Sequence, residues 1–226
     1  MINFNEGFTI CIDKPLEWTS FQVVKKVRYL TKAKKVGHAG TLDPLATGLL
    51  ILCTGKHTKL IQNIQGQEKE YTGSFKLGCT TPSYDRETEE ENFKDFEEIS
   101  LDQINCVIQE NLLGDVMQRP PIFSAVKIKG ERAYEKARKG EEVKIEPKQL
   151  TISEFEITDY NPPQLDFRIV CSKGTYIRSI ARDLGEMLGC GAYLTSLRRT
   201  RIGEHQIDDA YTIERFEQMV KTLKEA

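Results

Sequence analysis

The stretch Gly37-His38-Ala39-Gly40-Thr41-Leu42-Asp43-Pro44-Leu45-Ala46-Thr47-Gly48 decides how this chain is read. Asp43 is the lone carboxylate between Glu17 and Glu68, and eight lysines and arginines share that span. A merely solvated surface mixes both signs. A carboxylate set among glycines, beside a proline and surrounded by cations, is placed to act on something polyanionic. The alternative is a turn residue that accepts backbone hydrogen bonds, with Leu42-Asp43-Pro44 as the turn initiator. The residues alone leave both open.

The 226 residues are 39% hydrophobic and 29% charged, a balance that places the chain among globular proteins with a sizeable core. A single domain spanning 1–226 is expected. The N-terminus carries no basic region followed by a long apolar run, and Leu49 to Cys53 is too short to span a bilayer. The expected location is the cytoplasm, away from membranes. Six cysteines without a CxxC pair read as buried reduced thiols. His38, His57 and His205 have no metal-ligand spacing, so no metal site is expected.

A net charge of -2 argues against a nucleic-acid partner only if it is evenly spread. It is not: residues 84–115 hold eleven acids against Arg86 and Lys94, leaving the remainder net basic.

Thr19 and Gln22 form a capping box that opens a helix with Val23, Val24, Val27 and Leu30 on one face and Lys25, Lys26 and Arg28 on the other. Strands are expected at Phe8–Ile12, Leu49–Cys53, Glu70–Gly78, Leu150–Tyr160, Leu165–Cys171 and Leu197–Gln206. Asp85–Glu98 reads as an exposed, mobile acidic loop. Ser100 with Gln103 caps a second amphipathic helix that Gly114 stops, Glu131–Lys139 reads as a short charged helix, Gly174 introduces TYIRSIARDLGEML, and Thr212 caps a last helix. Strands and helices mix without strict βαβ alternation, which predicts an α+β fold with a mixed sheet.

GKHT at Gly55–Thr58 fails as a phosphate loop, because six residues separate Gly48 from Gly55 and His57 follows Lys56. Lys56 and Lys59 suit either a phosphate contact or a plain solvated turn. Two-carboxylate sugar hydrolysis needs a second acid within about 5–9.5 Å of Asp43. Arg178 lies in the first turn of its helix, where the dipole disfavours a cation, and so points to an anionic partner. Tyr71, beside Lys69, is either a stacking platform for a base or a strand aromatic at the core edge. Arg198, Arg199 and Arg201, with Lys127, Lys129, Arg132, Lys136, Arg138 and Lys139, favour a nucleic-acid surface.

GHAGTLDPLATGLL, then Lys59, Tyr71, QRPPIFSAVKIKGERAYEKARKG, GTYIRSIARDLG and LRRTRIG, in that order from about Asp13 to Gly203, resemble the TruB family of tRNA pseudouridine synthases. The resemblance implies the pseudouridine synthase fold, a mixed, mainly antiparallel sheet flanked by helices and loops. It implies a cofactor-free, metal-free enzyme, monomeric, that isomerises uridine 55 in the TΨC stem-loop of tRNA. By the same resemblance Asp43 is the nucleophile, Tyr71 stacks on the flipped base, Arg178 pairs with the aspartate, Leu197 lines the pocket, His38 assists flipping and Lys59 lies near the site. Gln118–Gly140 matches an insertion that clamps the RNA arm. The chain departs from the family pattern at Glu17, where glycine is usual, and at Thr80–Asp85, where TTPSYD replaces a TDTxD-like segment. These departures are expected to bear on RNA contact rather than chemistry. About twenty residues follow Gly203, so a C-terminal PUA domain is expected to be absent and contacts to the acceptor stem reduced. A catalytically silent RNA-binding module and a nucleosidase that releases free base are the competing expectations.

Overall fold

The computed structural model describes residues 3–123, 127–128, 131–132 and 145–225. It divides into two compact units, Met1–Thr72 with Leu197–Ala226, and Gly73–Ser196. The chain passes between them within two of its strands.

The first unit is built around strand β3, numbered in chain order after β1 (Thr9–Lys14) and β2 (Val36–His38). β3 (Ala46–Thr54) is buried along almost its whole length, because its alternating side chains meet apolar material on both faces. Leu50 and Leu52 pack with Val23, Val24, Val27 and Leu30 of helix α1 (Ser20–Thr31) and with Phe216 and Val220. Leu49, Ile51 and Cys53 pack with Ala39, Ile64 and Ile202. Each such apolar side chain contributes about 1.5–3 kcal/mol on burial. β1 and β2 both run antiparallel to β3, with Ile12 opposite Leu50 and His38 opposite Leu52. The expected capping box of α1 is formed by Thr19 and Gln22. GKHT forms a 3-10 turn, Gly55–Leu60, followed by α2 (Ile61–Gly66).

The second unit holds the rest of β4 (Lys69–Leu77), α3 (Leu101–Asn111), β5 (Gly114–Gln118), the short pair β6 (Lys127–Ile128) and β7 (Glu131–Arg132), β8 (Lys148–Asn161), β9 (Gln164–Cys171) and α4 (Ile177–Met187). The strand order is β4-β9-β8-β5, with β8 antiparallel to both neighbours. Phe75 stacks on Phe167 at 4.1 Å, and Phe155 meets both edge-on. The Ser100–Gln103 capping box starts α3 as its spacing predicts. β10 (Ala192–Ile202) returns the chain to the first unit, where β11 (His205–Gln206) and α5 (Ile213–Glu225) complete it.

The mixed, mainly antiparallel α+β fold is therefore present, with β10 parallel to β3. Three local expectations change. The single last strand is a hairpin, because Gly203, at φ +54, lets the chain reverse between β10 and β11. Glu131 and Arg132 are strand rather than helix, paired with Lys127 and Ile128, while 133–139 lie outside the described residues. Cys106 is an exposed thiol, unlike the buried Cys53, Cys79, Cys171 and Cys190. Among the described residues no helix is long and apolar enough to cross a membrane.

Candidate active site

Asp43 is half-buried on the loop that leads into β3, and three polar anchors hold that loop. The ammonium of Lys14 donates to the carbonyls of Pro44 (3.3 Å), Pro15 (2.9 Å) and Trp18 (2.6 Å). The Arg199 guanidinium donates to Gly40 O (3.1 Å) and Leu49 O (2.8 Å). Ser20 Oγ donates to Leu42 O and accepts from Leu42 N. Lys14 and Arg199 are 0% and 1% exposed, so two cations have been taken out of water against the backbone of the loop that carries Asp43. Such burial is costly unless the charge is paired and hydrogen-bonded. Burial pushes the Lys14 amine down to about 8, against the Asp43 charge, which raises it, and with the nearby Arg199, which lowers it further.

Gly48 allows this arrangement. At φ +101 a Cβ would stand 2.3 Å from the Arg199 carbonyl, so only glycine lets β10 run this close. The parallel register places Leu197 opposite Ala46, three residues after Asp43. His38, five residues before Asp43, has a buried Nδ1 with no hydrogen-bond partner among the described residues. Burial lowers its pKa, opposed by a hydrogen bond with the Gly40 backbone and assisted by Arg199. Tyr71 is buried at the start of β4, next to β10, where Thr200 Oγ1 donates to Glu70 at 2.7 Å. Lys59 is exposed in the 3-10 turn Gly55–Leu60 that follows β3, whereas Asp43 precedes that strand.

In the second unit Arg178 is buried near the start of α4. It donates to Ser83 O and Phe123 O at 3.1 Å each, and its Nε lies 3.5 Å from Asp85 Oδ2. Asp85 is fixed in turn by Ser83 Oγ (2.6 Å) and Glu87 N (2.9 Å). The helix start is held by Gln118, whose side-chain amide exchanges two hydrogen bonds with the Tyr176 backbone, and by Ser179 Oγ donating to Arg119 O.

Two expectations from composition are corrected here. The Asp85–Glu98 segment is not wholly solvated: Asp85 is buried against Arg178, and Glu90 accepts from both Lys76 and Tyr193. The arginines of β10 are not an open basic surface. Arg199 is buried, Arg198 makes two bonds to Asp13 (3.0 and 2.7 Å), and Arg201 pairs with Glu68 at 3.0 Å. Sequence reading missed Lys14, Arg199 and Ser20 as supports of the Asp43 loop, and Gln118 and Asp85 as supports of Arg178 and its helix start. Lys14 closing the strand before the proline was the one local signal, since nothing else at that spot calls for a cation.

Residues 28–177 match the model of the TruB family pseudouridylate synthase N-terminal domain. The chain belongs to the TruB family. Residues 178–226 of this TruB chain match the tRNA pseudouridylate synthase B C-terminal domain. The tRNA pseudouridine synthase B of Flavobacterium johnsoniae is 52% identical over 223 residues, 96% of this chain and 97% of that protein. That of Phocaeicola vulgatus is 49% identical over 221 residues, 95% and 94% of the two. Among solved structures, a chain of the Cbf5-Nop10-Gar1 complex superposes with a TM-score of 0.75 at 28% identity, covering 99% of this chain. The TruB chain spans 57% of that longer one.

Proposed function

We propose that this enzyme isomerises uridine 55 in the TΨC arm of tRNA to pseudouridine, acting in the cytoplasm as a monomer without a cofactor. The observation that carries the reading is Asp43 itself: a lone carboxylate on a loop anchored by Lys14, Arg199 and Ser20, in a chain matched from end to end by TruB relatives. The reaction breaks the C1′–N1 bond, turns the uracil, forms C1′–C5 and exchanges the C5 proton for one on N1. Atoms and oxidation state balance without a redox partner.

A base inside a helical stack denies access to C1′, so the uridine must flip out at a cost of a few kcal/mol. Tyr71 and Leu197 receive and confine the base, and His38, kept neutral by burial, assists the flip. Asp43 attacks as the ionised carboxylate, while Arg178, which the resemblance pairs with it, is held here by Asp85, Ser83 and Phe123. Lys59, exposed in the turn after β3, touches the RNA backbone. The decisive experiment is mass-spectrometric mapping of tRNA treated with the purified protein. Pseudouridine at position 55 is expected; released uracil would identify a nucleosidase, and bound but unmodified tRNA a silent binding module.

A further inference from the structure

With Arg198, Arg199 and Arg201 all engaged inside the first unit, the outer face of α1 offers a different concentration of cations, with no ion pair among the described residues. At about 100° per residue, Phe21, Lys25, Arg28, Tyr29 and Lys32 fall within an arc of about 100°. All five are exposed, opposite the buried Val23, Val24, Val27 and Leu30. Phe21 is 61% and Tyr29 68% exposed, an unusual display of two large aromatics on one helix. The Lys25 ammonium stands 4.8 Å from the Phe21 ring centre, and that of Lys32 4.2 Å from the Tyr29 ring centre.

Lysine over an aromatic ring can serve the helix alone, so the pairs by themselves identify no ligand. The charge pattern does. A solvated helix face interleaves acids with bases, as α5 does with Glu214, Arg215, Glu217 and Lys221, two of them joined at 3.3 Å. α1 carries no acid, and Lys34 and Lys35 extend its charge beyond the helix end. Lys26, off the stripe, is the cation that Glu217 neutralises, at 2.6 Å. Two exposed rings about 12 Å apart along the axis, among cations with no ion pair among the described residues, match a polyanion that also offers flat apolar faces.

We propose that this stripe of α1 is a second RNA-contact surface, which takes unstacked nucleotides of the tRNA body outside the arm that is modified. The proposal rests on the reading that tRNA is the substrate. Each ring keeps one face for a base while its lysine meets the neighbouring phosphate.

The test compares full-length tRNA with an isolated TΨC stem-loop. In the double variant Phe21→Ala/Tyr29→Ala, affinity for full-length tRNA falls about tenfold, while binding and modification of the stem-loop stay at wild-type level. The swap Phe21→Tyr/Tyr29→Phe retains full affinity. The double variant Lys25→Gln/Lys32→Gln makes the salt dependence of full-length tRNA binding shallower by about two phosphate contacts. Unchanged affinity of the alanine variant for full-length tRNA, as a protein-docking or merely helix-supporting face would give, overturns the proposal. So does an equal loss on both RNAs. Failure of the underlying function reads out separately, as a wild-type protein that forms no pseudouridine in the stem-loop.

Discussion

The loop around Asp43 and the segment from Thr80 to Glu98 are opposites in composition, and each behaves against its composition. The first is nearly uncharged, yet it rests on two buried cations, Lys14 and Arg199. The second is crowded with acids, yet Thr81, Ser83 and Asp85 are buried, and Ser83 and Asp85 bind Arg178. Local charge density therefore reports where charges were placed along the chain, not which of them are desolvated. A buried charge is defined by its partner, and Asp85 meets its partner 93 positions away.

The sharpest way to break this comparison is at the two aspartates. Asp43→Asn is expected to lower pseudouridine formation by more than about 10³-fold, because the neutral amide cannot act as the nucleophile. Tritium release from tRNA labelled at uridine C5 measures it, and substantial residual activity removes Asp43 from its proposed role. The fold should be little changed, since the loop's anchors Lys14, Arg199 and Ser20 grip backbone carbonyls of its neighbours, contacts that the substitution leaves in place.

Asp85→Asn is expected to act on stability as well. It strands the Arg178 guanidinium in a buried site, at a cost of about 3 kcal/mol. Glu89→Gln, an exposed acid four residues on, should change stability by less than about 0.5 kcal/mol. Urea titration of the two variants reads the contrast. Equal effects would mean that the acidic segment is uniformly solvated after all.

The same contrast explains what the sequence disclosed. Periodicity and capping chemistry located α1, α3 and the core strands, because those signals are local and each is repeated by its neighbours: Thr19 with Gln22, Ser100 with Gln103, Val23 with Val27 and Leu30. Asp43 stands out by its isolation among cations, Arg178, Tyr71 and Lys59 by their positions, and the TruB resemblance adds Leu197 and His38 as candidates. The supports were not legible. Arg199 sits between Arg198 and Arg201 in sequence, and nothing local shows that it alone is buried while its neighbours reach Asp13 and Glu68. Gln118 holds Tyr176 from 58 residues away, a pairing set only when β5 and α4 are in place.

Lys14 offers a pH test of how tightly the Asp43 loop is held. Its folded pKa of about 8 lies below the ordinary lysine value of 10.5. Between those values the unfolded chain binds more protons than the folded one, so this group makes stability rise with pH across that window. The rise is up to about 3 kcal/mol, reduced to the extent that the three carbonyl acceptors favour the ammonium. Comparing stability from pH 7.5 to 10.5 in wild type and Lys14→Met isolates it, because the thiols and tyrosines that titrate nearby are common to both. A difference independent of pH would mean that Lys14 stays charged throughout and acts only as a hydrogen-bond donor.

The smallest effect concerns Glu17, where the family pattern has glycine. The departure bears first on backbone: Glu17 adopts φ +65, the left-handed region, and from there its N–H reaches Pro44 O at 2.9 Å. A side chain in that region costs about 1–2 kcal/mol, whereas glycine gives back about 0.5–1 kcal/mol through the freedom of the unfolded chain. Glu17→Gly is therefore expected to stabilise the protein by about 0.5 kcal/mol, seen as a slightly higher urea midpoint with unchanged modification rate. A loss of stability would show that the Glu17 side chain contributes more than its backbone costs. A changed rate would show instead that this turn tunes the carboxylate one residue before Pro44, tying the strained backbone to the chemistry rather than to folding alone.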